Sequence, residues 1–136
     1  MKPSITKLRV ENRTLSGSEM LQLARSGKLK IRPRDKSKEW DAAYIAGLLA
    51  HIQPGHFILD QRDTDNIQVI EGNARLGAFV DFFAGKVDID AAPFEVHHTN
   101  EQAQRVLLWD VNFHLSVVWQ PTTDEELAAM MQCICR

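Results

Sequence analysis

Two stretches carry residue types and spacings that could hold a phosphate. The first is Ile70-Glu71-Gly72-Asn73-Ala74-Arg75-Leu76, between a strand-like run, Ile67 to Ile70, and a helix-like run, Leu76 to Gly85. A strand, a Gly turn and a helix in so few residues bring a helix N-terminus beside Gly72 to Arg75. Free backbone N–H groups and the helix dipole at such a point attract an anion. Gly72 would let a phosphate approach the backbone, Asn73 lies at the same turn, and Arg75 offers a planar fork of donors. Glu71 could bind a metal, polarise a water or orient a ribose. The bland alternative is a glycine that only turns the chain, beside a solvated Glu71–Arg75 pair; one Gly and one Arg are a weak signal alone.

The second stretch, Arg32-Pro33-Arg34-Asp35-Lys36-Ser37-Lys38-Glu39 before Trp40, has four cations and two acids in eight residues. Such a run is most often a solvated loop. If the strands around both stretches share a sheet, the guanidinium groups of Arg32, Arg34 and Arg75 are expected to converge on the helix start. The product would be a polyphosphate or nucleic-acid-backbone pocket.

Other chemistry has less support. None of the five histidines forms a zinc-binding helix pair, and His97 and His98, adjacent on an expected strand, would point to opposite faces. No metal site is therefore assigned to protein side chains. Ser37 and Ser116 lack a nucleophile elbow. Trp40, Trp109 and Trp119 each adjoin an apolar run and read as core or interface residues. Cys133 and Cys135 lack the metal-type spacing and read as free thiols.

The elements that must position the site follow from periodicity and caps. Residues 1–28 read as an N-terminal arm or short strand, with Ile5, Leu8 and Val10 alternating, followed by a helix. In that helix Ser16 caps, Glu19 closes a capping box, and Gly27 ends it. Leu29 to Ile31 reads as a short strand, and Asp41 to Ile52 as an amphipathic helix stopped by Pro54-Gly55. His56 to Asp60 and Ile67 to Ile70 read as a hairpin. Residues 87–92 connect to an expected strand, Phe94 to His98. A helix over Asn100 to Trp109 capped by Thr99, a strand Leu115 to Trp119, and a closing helix Glu125 to Ile134 capped by Thr123 or Asp124 complete the order. The chain of 136 residues suits a single α+β domain, a small mixed sheet with flanking helices. A formal charge of −2 confines any nucleic-acid binding to a local patch. No apolar run approaches a membrane span and the N-terminal residues lack an h-region, so a cytoplasmic protein is expected.

Pro33-Arg34 with Trp40, the helix Tyr44 to Ile52, the approach Pro54 to Leu59, and Val69 to Leu76 together resemble the ParB/sulfiredoxin-like superfamily. The similarity is to the branch named for its Asp-Gly-Gln-Gln-Arg motif, which includes the N-terminal domain of modification-dependent (type IV) GmrSD restriction enzymes. It covers roughly residues 29–136, including Thr123 onward. The resemblance implies binding of a nucleotide or nucleic-acid phosphate, and NTP hydrolase or nuclease activity in some members, in a restriction-modification or phage-defence setting. Arg34 matches the motif's lead-in Arg, and Gly72 and Arg75 the motif Gly and Arg. Glu71 replaces the motif Asp, and Asn73 and Ala74 replace its two Gln residues. Two functions follow: a nucleotide-processing domain using Mg2+ with a nucleoside triphosphate and Glu71 as catalytic carboxylate, or an inactive module binding DNA or a protein partner. Typical members continue into further domains, so the chain is expected to be a stand-alone relative or a fragment.

Overall fold

The computed structural model describes residues 7–134. Its strands are β1 (Val10–Ser16), β2 (Leu29–Lys30), β3 (His56–Asp60), β4 (Ile67–Glu71) and β5 (Asn112–Val118). Its helices are α1 (Gly17–Arg25), α2 (Lys38–Leu49), α3 (Asn73–Phe83), α4 (Asn100–Trp109) and α5 (Asp124–Ile134), with a 3-10 turn at Ile89–Ala91. The strands form one sheet in the order β1-β5-β3-β4-β2. β1 runs antiparallel to β5, β5 parallel to β3, β3 antiparallel to β4, and β4 parallel to β2. The sheet is therefore mixed, and the chain is a small single-domain α+β fold.

Period-two alternation divides the sheet into two unequal faces. Phe57 and Leu59 of β3, Val69 of β4 and Phe113, Leu115 and Val117 of β5 enter the main core. There they meet Met20 of α1, Ile45 and Leu48 of α2, Leu76 and Phe79 of α3, and Leu107 of α4. The opposite face buries Ile58 and Val118 against Leu127, with Met130 and Met131 alongside. Four helices thus cover one face, and α5 covers part of the other.

The helix starts follow their caps. Ser16 and Glu19 bond each other's backbone N–H groups, as do Thr99 and Gln102. Thr123 and Glu126 make the same reciprocal exchange at the start of α5. α1 ends at Ser26, and Gly27 follows with φ +82°. α2 begins at Lys38, three residues before the sequence pattern placed it, because Ser37 accepts a hydrogen bond from Trp40 N. α3 likewise begins at Asn73, directly after Gly72.

Of the two readings of the N-terminal segment, arm or short strand, the strand is found from Val10 onward, as seven residues paired along their length with β5; Ile5 lies outside the described residues. Two expectations need correction. β5 starts at Asn112 and ends before Trp119, because β1 supplies a partner for its whole length. Phe94 to His98 forms no strand. The segment lines a depression with Ala46, Leu49 and Ala50 of α2, and among the described residues it pairs with no strand. The argument that His97 and His98 point apart therefore loses its basis. No described helix is long and apolar enough to cross a membrane.

One charge cluster fixes α5. Arg62 grips Asp60 with two bonds, Nε to Oδ1 at 2.9 Å and Nη2 to Oδ2 at 2.8 Å, and reaches Asp124 Oδ1 at 2.7 Å. Burial works against the Asp60 charge, but Arg62 outweighs it and holds the carboxyl below its ordinary value. A carboxyl lowered by folding stabilises above its unfolded pKa and loses that contribution as pH falls through its folded value. Arg62→Ala is expected to cost about 1–3 kcal/mol, measured by urea unfolding at neutral pH. The loss of stability between pH 7 and about pH 3 should also be smaller in the variant than in the parent.

Candidate functional site

The site is built around the turn from β4 to α3. Gly72 there has φ +95°, a conformation that costs other residues about 1–2 kcal/mol. A Cβ at Gly72 would stand 2.4 Å from Cδ1 of Phe57. The absent side chain therefore makes room for the Phe57 ring, not for a ligand.

Asn73 is equally committed. Its Oδ1 accepts from Arg32 N and its Nδ2 donates to Arg32 O, both at 2.8 Å. The amide imitates a strand partner and pins the stretch after β2 to the start of α3. Arg75 folds back over Phe57, its guanidinium carbon 4.8 Å from the ring centroid. It donates to Pro54 O at 3.2 Å and His56 O at 2.8 Å, and Glu71 Oε1 lies 3.7 Å from Nη2. A Cβ at Gly55 would collide with Nη1, so Gly55 is required for this path. Tyr44 Oη donates to the same Pro54 carbonyl at 2.8 Å, and burial raises the tyrosine's pKa.

Arg34 does not join Arg75. It lies over Gly77, where a Cβ would meet its Cδ at 2.5 Å. Residues 75 and 77 leave the α3 axis about 200° apart. Arg34 Nη1 donates to Asp81 at 2.6 Å and Nη2 to Asp41 at 2.5 Å. Burial opposes its charge, yet the hydrogen bonds it donates to Asp81 and Asp41 raise its pKa. It borders a second depression with Ile31, Pro33, Val80 and Asp81, and Arg32 lines both this one and the one at the helix start.

What gathers at the helix start is a depression of about 390 Å³, lined by Arg32, Lys36, Trp40, Ile70, Glu71, Gly72, Asn73, Ala74 and Arg75. Among the described residues no side chain caps α3, and its first turn holds no acid. Arg32 and Lys36 are exposed at the rim. Lys36 Nζ stands 5.2 Å from the Trp40 ring centroid, and Trp40 stacks on Tyr44 at 5.9 Å. Lys36 and Trp40 were not singled out as ligand contacts from the sequence. The signal was Ser37: as an N-cap it puts Trp40 on the first turn of α2 and leaves Lys36 just outside it.

A second polar group lies on the sheet face that α5 leaves open. His56 Nε2 is 2.8 Å from Ser116 Oγ, which is 3.3 Å from Asn12 Oδ1. Thr14 Oγ1 is 3.2 Å from His114 Nδ1. Pairing of β1, β5 and β3 assembles this group from residues far apart in sequence. Among the described residues, no group of three or more His, Cys, Asp or Glu side chains could hold a metal ion. Cys133 is an exposed free thiol, and Cys135 lies outside the described residues.

No protein-family model, curated protein or solved structure matches the chain.

The turn geometry gives a direct test. Gly72→Ala combines a left-handed backbone with a clash and is expected to cost about 2–5 kcal/mol in urea unfolding. Adding Phe57→Leu should recover the packing part of that loss, less the change's own cost, but not the backbone part. The two changes are thus expected to be clearly non-additive.

Proposed function

We propose that the depression at the start of α3 binds the phosphate of a nucleotide or nucleic acid, and that it does so without turnover. The observation that carries this reading is an uncapped helix N-terminus facing a depression with two exposed cations, Arg32 and Lys36, on its rim. The helix end supplies oriented N–H donors, and the two side chains supply charge that costs little to redirect onto a ligand. The ParB/sulfiredoxin-like resemblance supports the same location.

The absence of turnover is argued from how the motif residues are used. Asn73 is spent on the Arg32 backbone, Ala74 has no polar group, and Glu71, the one carboxylate among the described residues that line the depression, sits beside Arg75. Arg75 contributes chiefly by fixing the turn. If Mg2+ accompanies a nucleoside triphosphate, the phosphates would supply most of its oxygen ligands, with Glu71 the carboxylate nearest the helix start.

Ala74→Glu is the sharpest test. A carboxylate in the first turn favours the helix, so the fold should hold, while it repels a bound phosphate. ATP, GTP, inorganic triphosphate and DNA oligonucleotides would be titrated with and without Mg2+. Ala74→Glu is expected to weaken binding at least tenfold, and Arg32→Ala and Lys36→Ala each by roughly three- to tenfold, since about 1.4 kcal/mol is a factor of ten. Glu71→Gln should bind as well or better, with no hydrolysis in parent or variant. Binding that ignores Ala74→Glu, or absence of binding to every probe, would refute this site.

A further inference from the structure

We infer that the outer edge of β1 is a self-association surface, on which a second copy of this chain adds its own β1 antiparallel. β1 is the first strand in the sheet order, so only one of its edges is paired. Its pairing parity identifies the groups left over. Trp119 N donates to Arg9 O at 2.9 Å and Gly17 N to Val111 O at 3.0 Å, on the same register as Val10↔Val118. Odd-numbered residues of β1 therefore turn N–H and C=O toward β5, and Val10, Asn12 and Thr14 turn theirs outward. Those outward backbone groups have no hydrogen-bond partner among the described residues. Ser16, the next in that series, has its N–H taken by Glu19.

An unpaired edge is a template for another strand, and natural edges are commonly blunted by a proline, a bulge or a charge. β1 has no proline, and its register with β5 is unbroken. It has two charges, and their spacing identifies the partner. Glu11 and Arg13 share one face, 3.6 Å apart, and both side chains are about half exposed. In a twofold antiparallel pairing centred on Asn12, Val10 meets Thr14 of the second copy and Asn12 meets Asn12. These are the hydrogen-bonded pairs, and they engage all three outward residues of each copy. Glu11 then stands opposite Arg13 of the second copy, twice, at the closer non-hydrogen-bonded positions. Shifting the register by two residues puts Glu11 opposite Glu11 in one direction and Arg13 opposite Arg13 in the other. The edge is thus complementary to itself in one register and repels its neighbours. Two five-stranded sheets would join into one continuous sheet, held by about six backbone hydrogen bonds and two charge pairs. An interface this small lies at the weak end, with a Kd of roughly 10–100 µM.

Sedimentation equilibrium of the full chain over about 5–500 µM tests this. The parent is expected to move from monomer to dimer mass across that range. Asn12→Pro removes an outward N–H without touching the β5 ladder and should leave a folded monomer, checked by circular dichroism. Glu11→Arg should raise Kd about tenfold or more. The charge swap Glu11→Arg with Arg13→Glu should restore it, and mixing Glu11→Arg with Arg13→Glu single variants should give a heterodimer. The charge series decides the matter even if Asn12→Pro fails to fold. A monomer at every concentration overturns the inference, as would hold if the edge served a strand of another protein. A dimer indifferent to the Glu11 and Arg13 changes overturns it too, because the interface would lie elsewhere.

Discussion

The ring of Phe57 is the constraint on which the β4–α3 region depends. It meets Phe113 edge-on at 5.4 Å, and Phe113 meets Phe79 at 4.9 Å, so strands β3 and β5 and helix α3 share one aromatic cluster. Gly72 passes directly over the ring because a Cβ there has no room, and Arg75 closes the remaining side as a cation over the ring. Backbone chirality and core packing thus make the same demand at one residue. The helix start is held by the core beneath it, independent of any ligand. A preformed anion site loses less freedom on binding than one that must assemble.

The cations divide by what surrounds them. Arg34, Arg62 and Arg75 are half-buried and each is held by two or more acceptors: Arg34 joins the stretch after β2 to α2 and α3, Arg62 joins β3 to α5, and Arg75 joins the β3 approach to α3. Each uses the planar guanidinium to hold more than one acceptor in fixed directions, where a lysine would offer a point charge without the fork. Arg32 and Lys36 are exposed and have no acid paired to them among the described residues. Using a half-buried, doubly paired arginine for a ligand would leave two carboxylates uncompensated; using an exposed one leaves none. This asymmetry shifts the candidate site from Arg34 toward Arg32 and Lys36.

Local signals in the sequence were legible where the physics is local. Ser16 with Glu19, Thr99 with Gln102, and Thr123 with Glu126 are reciprocal caps, and each marked a real helix start. The hairpin and the Gly72 turn were legible for the same reason: glycine and apolar alternation act within a few residues. The failures were non-local. Phe94, Val96 and His98 alternate as a strand would, but a strand needs a partner edge, and the chain there borders α2. Val10 to Ser16 puts one side chain, Leu15, into the core and is otherwise mostly polar, so its extent as a strand is set by pairing with β5 and not by its own pattern. The double commitment of Arg34 was hidden likewise, since Asp81 lies 47 positions away.

The two faces of the sheet account for the placement of both candidate surfaces. The face under α1 to α4 is filled by apolar side chains, so nothing polar can be recruited from it except at its rim, where α3 begins. Among the described residues the other face has only α5, whose contact with Ile58 and Val118 leaves the region toward β1 to His56, Asn12, Thr14, His114 and Ser116. These side chains satisfy one another, which allows a sheet face without a helix over it to stay in water. The same arrangement explains why β1 can end the sheet with an exposed strand. Its face needs no apolar cover, so the outward N–H and C=O groups of Val10, Asn12 and Thr14 are left accessible along an edge that no described element overlies. The anion-attracting helix start and the self-complementary edge therefore have separate physical origins, and a change at one should leave the other intact.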